Sequence, residues 1–350
     1  MPNLSSGFLR ARPMRINTNA SLQKIGEALD RTRPKLAQLS RGWGSIHDDV
    51  NVLNLPDVAP TPGDAAVLPE ENRGDPTLVL PPHHADGVAL PRPTEPAQLH
   101  QTLVARLYWW ERDTSLRRVL GDQVSPTRWH RLKAADIMLT PISGSSDLNL
   151  LVSTWNEAEI SSQVLPALNV ALQRVDGAAT IDTTTSELNL VSDDFFLWLL
   201  HRHLNQLPLT GDLVIDDMRS IYVQDPLDHG NYLWRGVDTT RLELVGHIAE
   251  QKIFGPARVA IRSDLLEGLY DFDLKVTGEF GVHGDETQYF GSDSLSREQE
   301  RLRVVRDLAD VVIPNLKAAY SADRAWNNSI RETYRQAQAA ELRRRAAAIR

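Results

Sequence analysis

Cysteine is absent from the 350 residues. That absence excludes disulfides, thiolate-ligated zinc, iron–sulfur clusters and a thiol nucleophile. Long apolar runs are lacking too. The longest is Phe195–Leu200, six residues, against the roughly 20 that a membrane-spanning helix needs. The opening MPNLSSGFLRARPMRI has no apolar signal-like core, so the expected setting is cytoplasmic, with no membrane partner. Also missing are a Gly-Lys phosphate loop, GxGxxG, HExxH and GxSxG, the signatures of the common nucleotide, zinc-protease and serine-hydrolase chemistries. No repeat is evident, and no cofactor is expected.

Acidic residues outnumber basic ones, for a net charge of −8, but unevenly. Residues 297–350 hold 12 basic and 7 acidic side chains, a balance of +5, and the remainder holds 26 and 39, a balance of −13. A chain so charged is not expected to coat nucleic acid everywhere, but one basic surface is compatible with it.

The chain reads as α+β: mixed strands and helices with antiparallel pairs and a helical C-terminus. Residues 1–53 form a strand–helix segment, in which GFLRARPMRI is extended and Ser21 caps a helix with Leu22, Ile25 and Leu29 on one face. Arg41-Gly42-Trp43-Gly44 suggests a turn. Residues 54–75 are a Pro-rich loop, and Pro56 to Pro96 carries ten of the twenty prolines. Residues 76–235 form a central α+β region. It begins with TLVLPPHHADGVALP as a hairpin about Asp86-Gly87. The stripe Leu99, Leu103, Leu107 and Trp110 predicts a helix from Pro96 to Gly121.

Strands are expected at Ala134–Ile142 and Leu148–Trp155, followed by a helix capped at Asn156-Glu157-Ala158-Glu159. Ser192 or Asp193 is expected to cap the next helix. Two short strands follow, Gly211–Ile215 and Ile221–Val223. Residues 236–295 read as a helix capped by Asp238-Thr239-Thr240 and broken by Gly255-Pro256, then the pair Ala257–Arg262 and Leu269–Thr277. Residues 296–350 read as two helices, the first disturbed by Pro314 and the second carrying Trp326, Ile330 and Tyr334 on one face.

Several stretches carry chemistry-bearing residues. SDDFFLWLLHRH holds two acids and two histidines. His201 and His203 stand two apart, about 200° around a helix, so they cannot share an ion, and the stretch reads as a capped core helix. Its negative end favours a partly protonated imidazole at both. His83-His84-Ala85-Asp86-Gly87 reads as turn chemistry rather than a metal site. Asp147 and Asn149 have the spacing of the paired acids of nucleotidyltransferases, with an amide where the second carboxylate is needed. Asp238 with Glu250 and Lys252, or Asp264 with Asp273 and Lys275, has the spacing of a metal-nuclease set. Lys275 and Asp273 would share a strand face. Gly278, Gly281 and Gly284 suit a tight turn. No metal site is expected from any of these.

Two basic clusters remain. From Arg106 to Lys133 seven basic residues face three acidic ones, with Trp109, Trp110 and Trp129 interleaved. ELRRRAAAIR closes the chain. Arg112, Arg117, Arg118, Arg128, Arg131 and Lys133 are the candidate phosphate contacts.

The order of these pieces resembles the recombination-associated RdgC proteins over most of the chain: GFLRARPMRI, Ser21-Leu22 opening a helix, Gly42-Trp43, TLVL and VALP leading into the long helix from Pro96, LNLLVSTWNEAEISSQVLPALNVALQRV, DFFLWLL, LVIDD, the helix from Asp238, ARVAI, YDFDLKV and the terminal helices. The resemblance implies a non-enzymatic, DNA-associated homodimer of nucleoid type. Such a dimer encircles duplex DNA without reading sequence and modulates recombination or access to DNA. Two alternatives stand beside it. One is a metal-dependent nuclease or degenerate nucleotidyltransferase. The other is a protein-binding subunit docking through the helix Asp323–Arg350, with Trp326, Ile330 and Tyr334 as anchors.

Overall fold

The structure, a computed structural model, describes residues 8–32, 41–45, 102–112, 118, 130–190, 192, 194–209, 212–224, 231–233, 237, 241–290 and 303–348. The Pro-rich loop, the hairpin expected at 76–91 with His83 and His84, and the caps proposed at Asp193 and Asp238–Thr240 lie outside these residues. The class is α+β as expected, and the chain divides into two compact units. One comprises Leu9–Ser186 with Leu295–Leu302, and the other Glu187–Ser294 and Arg303–Arg350 with Met1–Phe8.

The N-terminal unit is built on β1 (Phe8–Asn17), α1 (Leu22–Asp30), β2 (Gly42–Ser45), β3 (Leu103–Arg112), β4 (His130–Pro141) and β5 (Leu148–Val152). Its strands run antiparallel in the order β2-β3-β4-β5-β1, with β6 (Thr180–Asp182) on the far edge of β1. Leu103, Ala105, Leu107 and Trp109 alternate onto one face, where they join Ile137, Leu139, Leu150, Met14 and Ile16. Helix α1 packs on this layer through Leu22, Ile25 and Leu29, and Ser21 Oγ accepts from Lys24 N–H at 3.4 Å as the cap.

Two sequence expectations are corrected here. The stretch expected as a helix from Pro96 is strand β3 over Leu103–Arg112. Its apolar residues fit a period of 3.6, but they also alternate, and pairing on both edges settles the ambiguity for the strand. Trp43 lies on β2 rather than in a turn, fully buried opposite Leu107.

Helix α2 (Glu157–Glu159) passes through a π-helical turn, Ile160–Val164, into α3 (Leu165–Val175). Asn156 Oδ1 caps it, accepting from Ala158 N–H at 3.1 Å and Glu159 N–H at 3.4 Å. Pro166 lacks an N–H, so the carbonyl four residues back has no helical donor. Arg41 supplies one, donating to Ser162 O at 3.0 Å and Gln163 O at 3.3 Å.

The C-terminal unit has α4 (Phe195–Leu204), β7 (Leu213–Gln224), β8 (Asn231–Leu233), α5 (Leu242–Ala249), β9 (Ile253–Ser263), β10 (Gly268–Leu274), β11 (Phe280–His283) and β12 (Gln288–Tyr289). The antiparallel order is β11-β10-β9-β7-β8, with β12 extending β10. The pair expected at Ala257–Arg262 and Leu269–Thr277 forms as β9 and β10. The two strands expected at 211–223 are one bulged strand, β7. Gly255-Pro256 breaks no helix: α5 ends at Ala249, and both residues lie in β9.

Residues 303–307 are helical and lead through a second π turn, Leu308–Val312, into α6 (Ile313–Ala322). Helix α7 (Asn328–Ala348) ends the described chain. Tyr270 and Tyr289 hydroxyls donate to Asp307 at 2.8 and 2.9 Å, tying β10 and β12 to this helix.

The two π turns share a pattern that the sequence reading missed. Ile160, Val164, Leu165, Pro166 and Leu168 match Leu308, Val312, Ile313, Pro314 and Leu316 at the same spacing. In each, the residue before the proline bonds five residues back, Leu165 to Ile160 O and Ile313 to Leu308 O. The wider turn gives the proline ring room beside the preceding carbonyls.

Gly278 closes the turn between β10 and β11 at φ +76°, and an added Cβ there would meet the Leu188 carbonyl carbon and oxygen at 2.5 Å. That neighbour is backbone and cannot rotate away. Gly278→Ala is therefore expected to cost about 2–4 kcal/mol, combining left-handed strain with displaced backbone. Chemical denaturation checks it, and a loss under about 1 kcal/mol would contradict the packing described.

Candidate functional site

The register of the N-terminal sheet gathers one group of charges. Arg112 pairs with His130 and Glu111 with Arg131 at the joined ends of β3 and β4. Beyond Val152, where β5 stops, β4 continues as residues 130–136 and β1 as residues 8–11. The end of β3, the start of β4, the start of β1 and the first turn of α2 thus occupy one end of the sheet.

Of the six expected phosphate contacts, Arg112 and Arg131 sit on these strand ends. Arg118 is exposed, and Arg117 and Arg128 lie outside the described residues, in the 113–129 connection that joins the two ends. Lys133 differs: its ammonium contacts Glu111 at 2.5 Å and Glu159 at 2.8 Å. Burial works against that ammonium, and the bonds to Glu111 and Glu159 outweigh it and raise its pKa. Its charge is compensated within the unit. Of the tryptophans interleaved with the cluster, Trp109 belongs to the core, 3% exposed.

The sequence reading missed three members of this end, all of which need the register to be seen. Arg10 and Arg12 come from β1, which reads on its own as a plain strand. Arg12 pairs with Glu157, and the Arg10 guanidinium lies 5.5 Å from the Trp155 ring centre. Trp155 Nε1–H donates to Ala11 O at 3.3 Å, which fixes the ring against β1.

Arg106 opens the cluster in sequence but leaves it in space. It stands opposite Asp136 on the other sheet face, each side chain 1% exposed, with two guanidinium–carboxylate bonds of 2.5 and 2.9 Å. Burial pushes the Asp136 carboxyl up, and Arg106 pulls against it.

The acids proposed for catalysis that lie among the described residues are engaged in ion pairs. Asp147 precedes β5 instead of lying on it, and Arg15 grips it at 2.6 and 3.1 Å. That bond is the main reason its pKa falls below the usual carboxylate range. Asn149 pairs across the strands with Arg15 and Thr140. Asp273 meets His283 Nε2 at 3.0 Å, and Lys275 meets Glu279 at 2.6 Å. Lys252 pairs with Glu250 at 3.2 Å, across Gln251 at φ +60°. Asp271, fully buried, is held by Arg258 at 2.6 Å and Arg219 at 3.3 Å. Among the described residues no group of three or more His, Asp or Glu is placed to hold a metal ion.

SDDFFLWLLHRH is scaffold: Phe195 to Leu200 are at most 2% exposed. Asp194 occupies the cap position but its side chain makes no cap bond, and Ser192 Oγ instead accepts from Asp194 N–H at 3.2 Å. His201 lies between Trp326 and Tyr334, with ring centres 4.9 and 4.8 Å away. Two of the three anchors proposed for a C-terminal docking arm are thus packed within their own unit, while Ile330 is 39% exposed. Beside α4 a cleft of about 590 Å³ is lined by Arg202, His203, Gln206, Leu207, Val214 and Asp216 among others. Arg202 there is committed to Asp323 and Pro208 O.

Both histidines depart from the expectation of partial protonation. Burial lowers the pKa of each, outweighing the nearby acids. Their folded pKa values lie below the unfolded one, so their contribution is complete above about pH 6.5 and is lost as the pH falls through the folded values. The melting temperature should drop more between about pH 7.5 and 5.5 in the wild type than in His201→Phe. Equal drops would show that His201 does not carry this dependence.

No protein-family model matches the chain, and no curated protein matches it. Among the described residues no helix is long and apolar enough to cross a membrane. The functional reading accordingly starts from the basic end of the N-terminal sheet.

Proposed function

We propose that this chain is a non-enzymatic DNA-associated accessory protein that binds duplex DNA without reading its sequence and modulates recombination or access to DNA. The observation that carries the reading is the pairing of Arg112 with His130 and of Glu111 with Arg131. It brings Arg112 and Arg131, the first and last arginines of the run Arg112, Arg117, Arg118, Arg128 and Arg131, to one end of a sheet. Phosphate contacts need only such a cationic surface and supply sequence-independent affinity. The chain as a whole carries a net charge of −8, which limits sticking outside that surface. The order of elements that resembles RdgC proteins, without the long helix from Pro96, which is strand β3 over Leu103–Arg112, supports the same reading and adds a homodimer to the proposal. Lys133, already compensated, is a lesser contributor.

The test is salt-dependent binding of the full chain to unrelated duplexes. About five phosphate contacts predict a fall in affinity on the order of several hundredfold between about 50 and 200 mM salt. Arg117→Glu with Arg118→Glu should weaken every duplex alike, by roughly tenfold to a hundredfold. Salt-insensitive binding, or none at low salt, would remove the proposal. Native mass with and without duplex tests the dimer.

A further inference from the structure

We infer that the partner of this surface presents unpaired bases beside its phosphates, so that the protein favours DNA with a single-stranded overhang over a blunt duplex. The inference rests on the DNA-binding reading and adds to it. Phosphate contact alone calls only for cations. This end of the sheet also carries an indole. Trp155 is partly exposed, and its Nε1–H bond to Ala11 O at 3.3 Å sets the ring plane. The guanidinium of Arg10, an exposed residue near the start of β1, lies 5.5 Å from the ring centre. An aromatic ring with an adjoining arginine is the usual platform for splayed bases, because every base has a π face to offer and every nucleotide a phosphate. Bases stacked inside a duplex cannot reach it. Trp109 is buried in the core, so it does not supply that platform. The charge at this end suits the same ligand. By sequence, the segments at this end carry Arg10, Arg12, Arg112, Arg131 and Lys133 against Glu111, Glu157 and Glu159, five basic residues to three acidic.

The experiment compares two fluorescein-labelled probes by anisotropy with the full chain: a blunt duplex, and the same duplex with a single-stranded overhang. The overhang probe should bind roughly tenfold tighter. Trp155→Ala should bring the ratio of the two affinities to about one. Trp155→Phe, which retains a stacking ring and disturbs the fold less, should keep most of the preference. Equal affinities in the wild type, or a ratio untouched by Trp155→Ala, would overturn the inference. Salt-sensitive blunt-duplex binding that depends on Arg117 and Arg118, with no gain from the overhang, leaves the duplex reading standing and removes this one. Trp155-dependent binding of the overhang alone does the reverse.

Discussion

Arg106→Met is expected to destabilise the protein by about 3–5 kcal/mol in urea denaturation. The reason is the setting of its partner. Asp136 is 1% exposed on a central strand, and Arg106 supplies both of its guanidinium bonds. Removing the cation takes two charge-assisted bonds from a carboxylate that is shielded from water. Asp136→Leu should cost a similar amount, because it takes the same two charge-assisted bonds from a guanidinium that is equally buried. The double variant, Arg106→Met with Asp136→Leu, removes both charges and replaces them with apolar groups of comparable volume. It is expected within about 1 kcal/mol of the wild type. Mild single variants, or a double variant as unstable as the sum of the two, would contradict this coupling. Should either single fail to fold, recovery of soluble protein by the double variant reads out the same coupling.

The same pair explains why β3 is hard to recognise in the sequence. LVARLYWW offers apolar residues at both helical and strand spacings, and a strand buried on both faces loses the polar alternation that marks a half-exposed one. Arg106 is its only charged residue before Glu111, and it reads as solvated until Asp136 is known to stand opposite. Local signals fared better. Ser21 and Asn156 mark their helices because a cap is a contact within three residues. The β9–β10 pair is legible from alternation on both sides of one short turn.

The basic end was half legible. Arg112 to Lys133 is a cluster along the chain. Arg10, Arg12 and Trp155 join it only through β1–β5 and β4–β5 pairing, the first of which spans more than a hundred residues in sequence. Conversely, Asp147, Asp273 and Glu250 carry plausible spacings. Spacing says nothing of the arginine, histidine or lysine that engages each of them.

Trp198→Ala should produce a still larger loss than Gly278→Ala, about 4–5 kcal/mol. Trp198 is fully buried in α4, and its ring meets Phe195 at 5.5 Å and Tyr320 of α6 at 5.4 Å. Its Nε1–H donates to Asp323 at 2.8 Å, and Arg202 binds the same carboxylate oxygen. Alanine would open a cavity and remove one of the two donors to that carboxylate oxygen of Asp323, which joins α6 to α7. Trp198→Phe keeps most of the volume and leaves Arg202 on Asp323, so about 1–2 kcal/mol is expected. Asp323→Asn isolates the charge. Burial pushes this carboxyl up, but the bonds from Arg202 and Trp198 outweigh it and hold its pKa below the ordinary value. A depressed carboxyl stabilises the fold above its unfolded pKa, near 4, and that contribution disappears as the pH falls through the folded value. Wild type should therefore lose more stability than Asp323→Asn on acidification from about pH 5 to 3. Parallel losses, or a Trp198→Ala variant no weaker than Trp198→Phe, would mean that α4 does not anchor the terminal helices in this way.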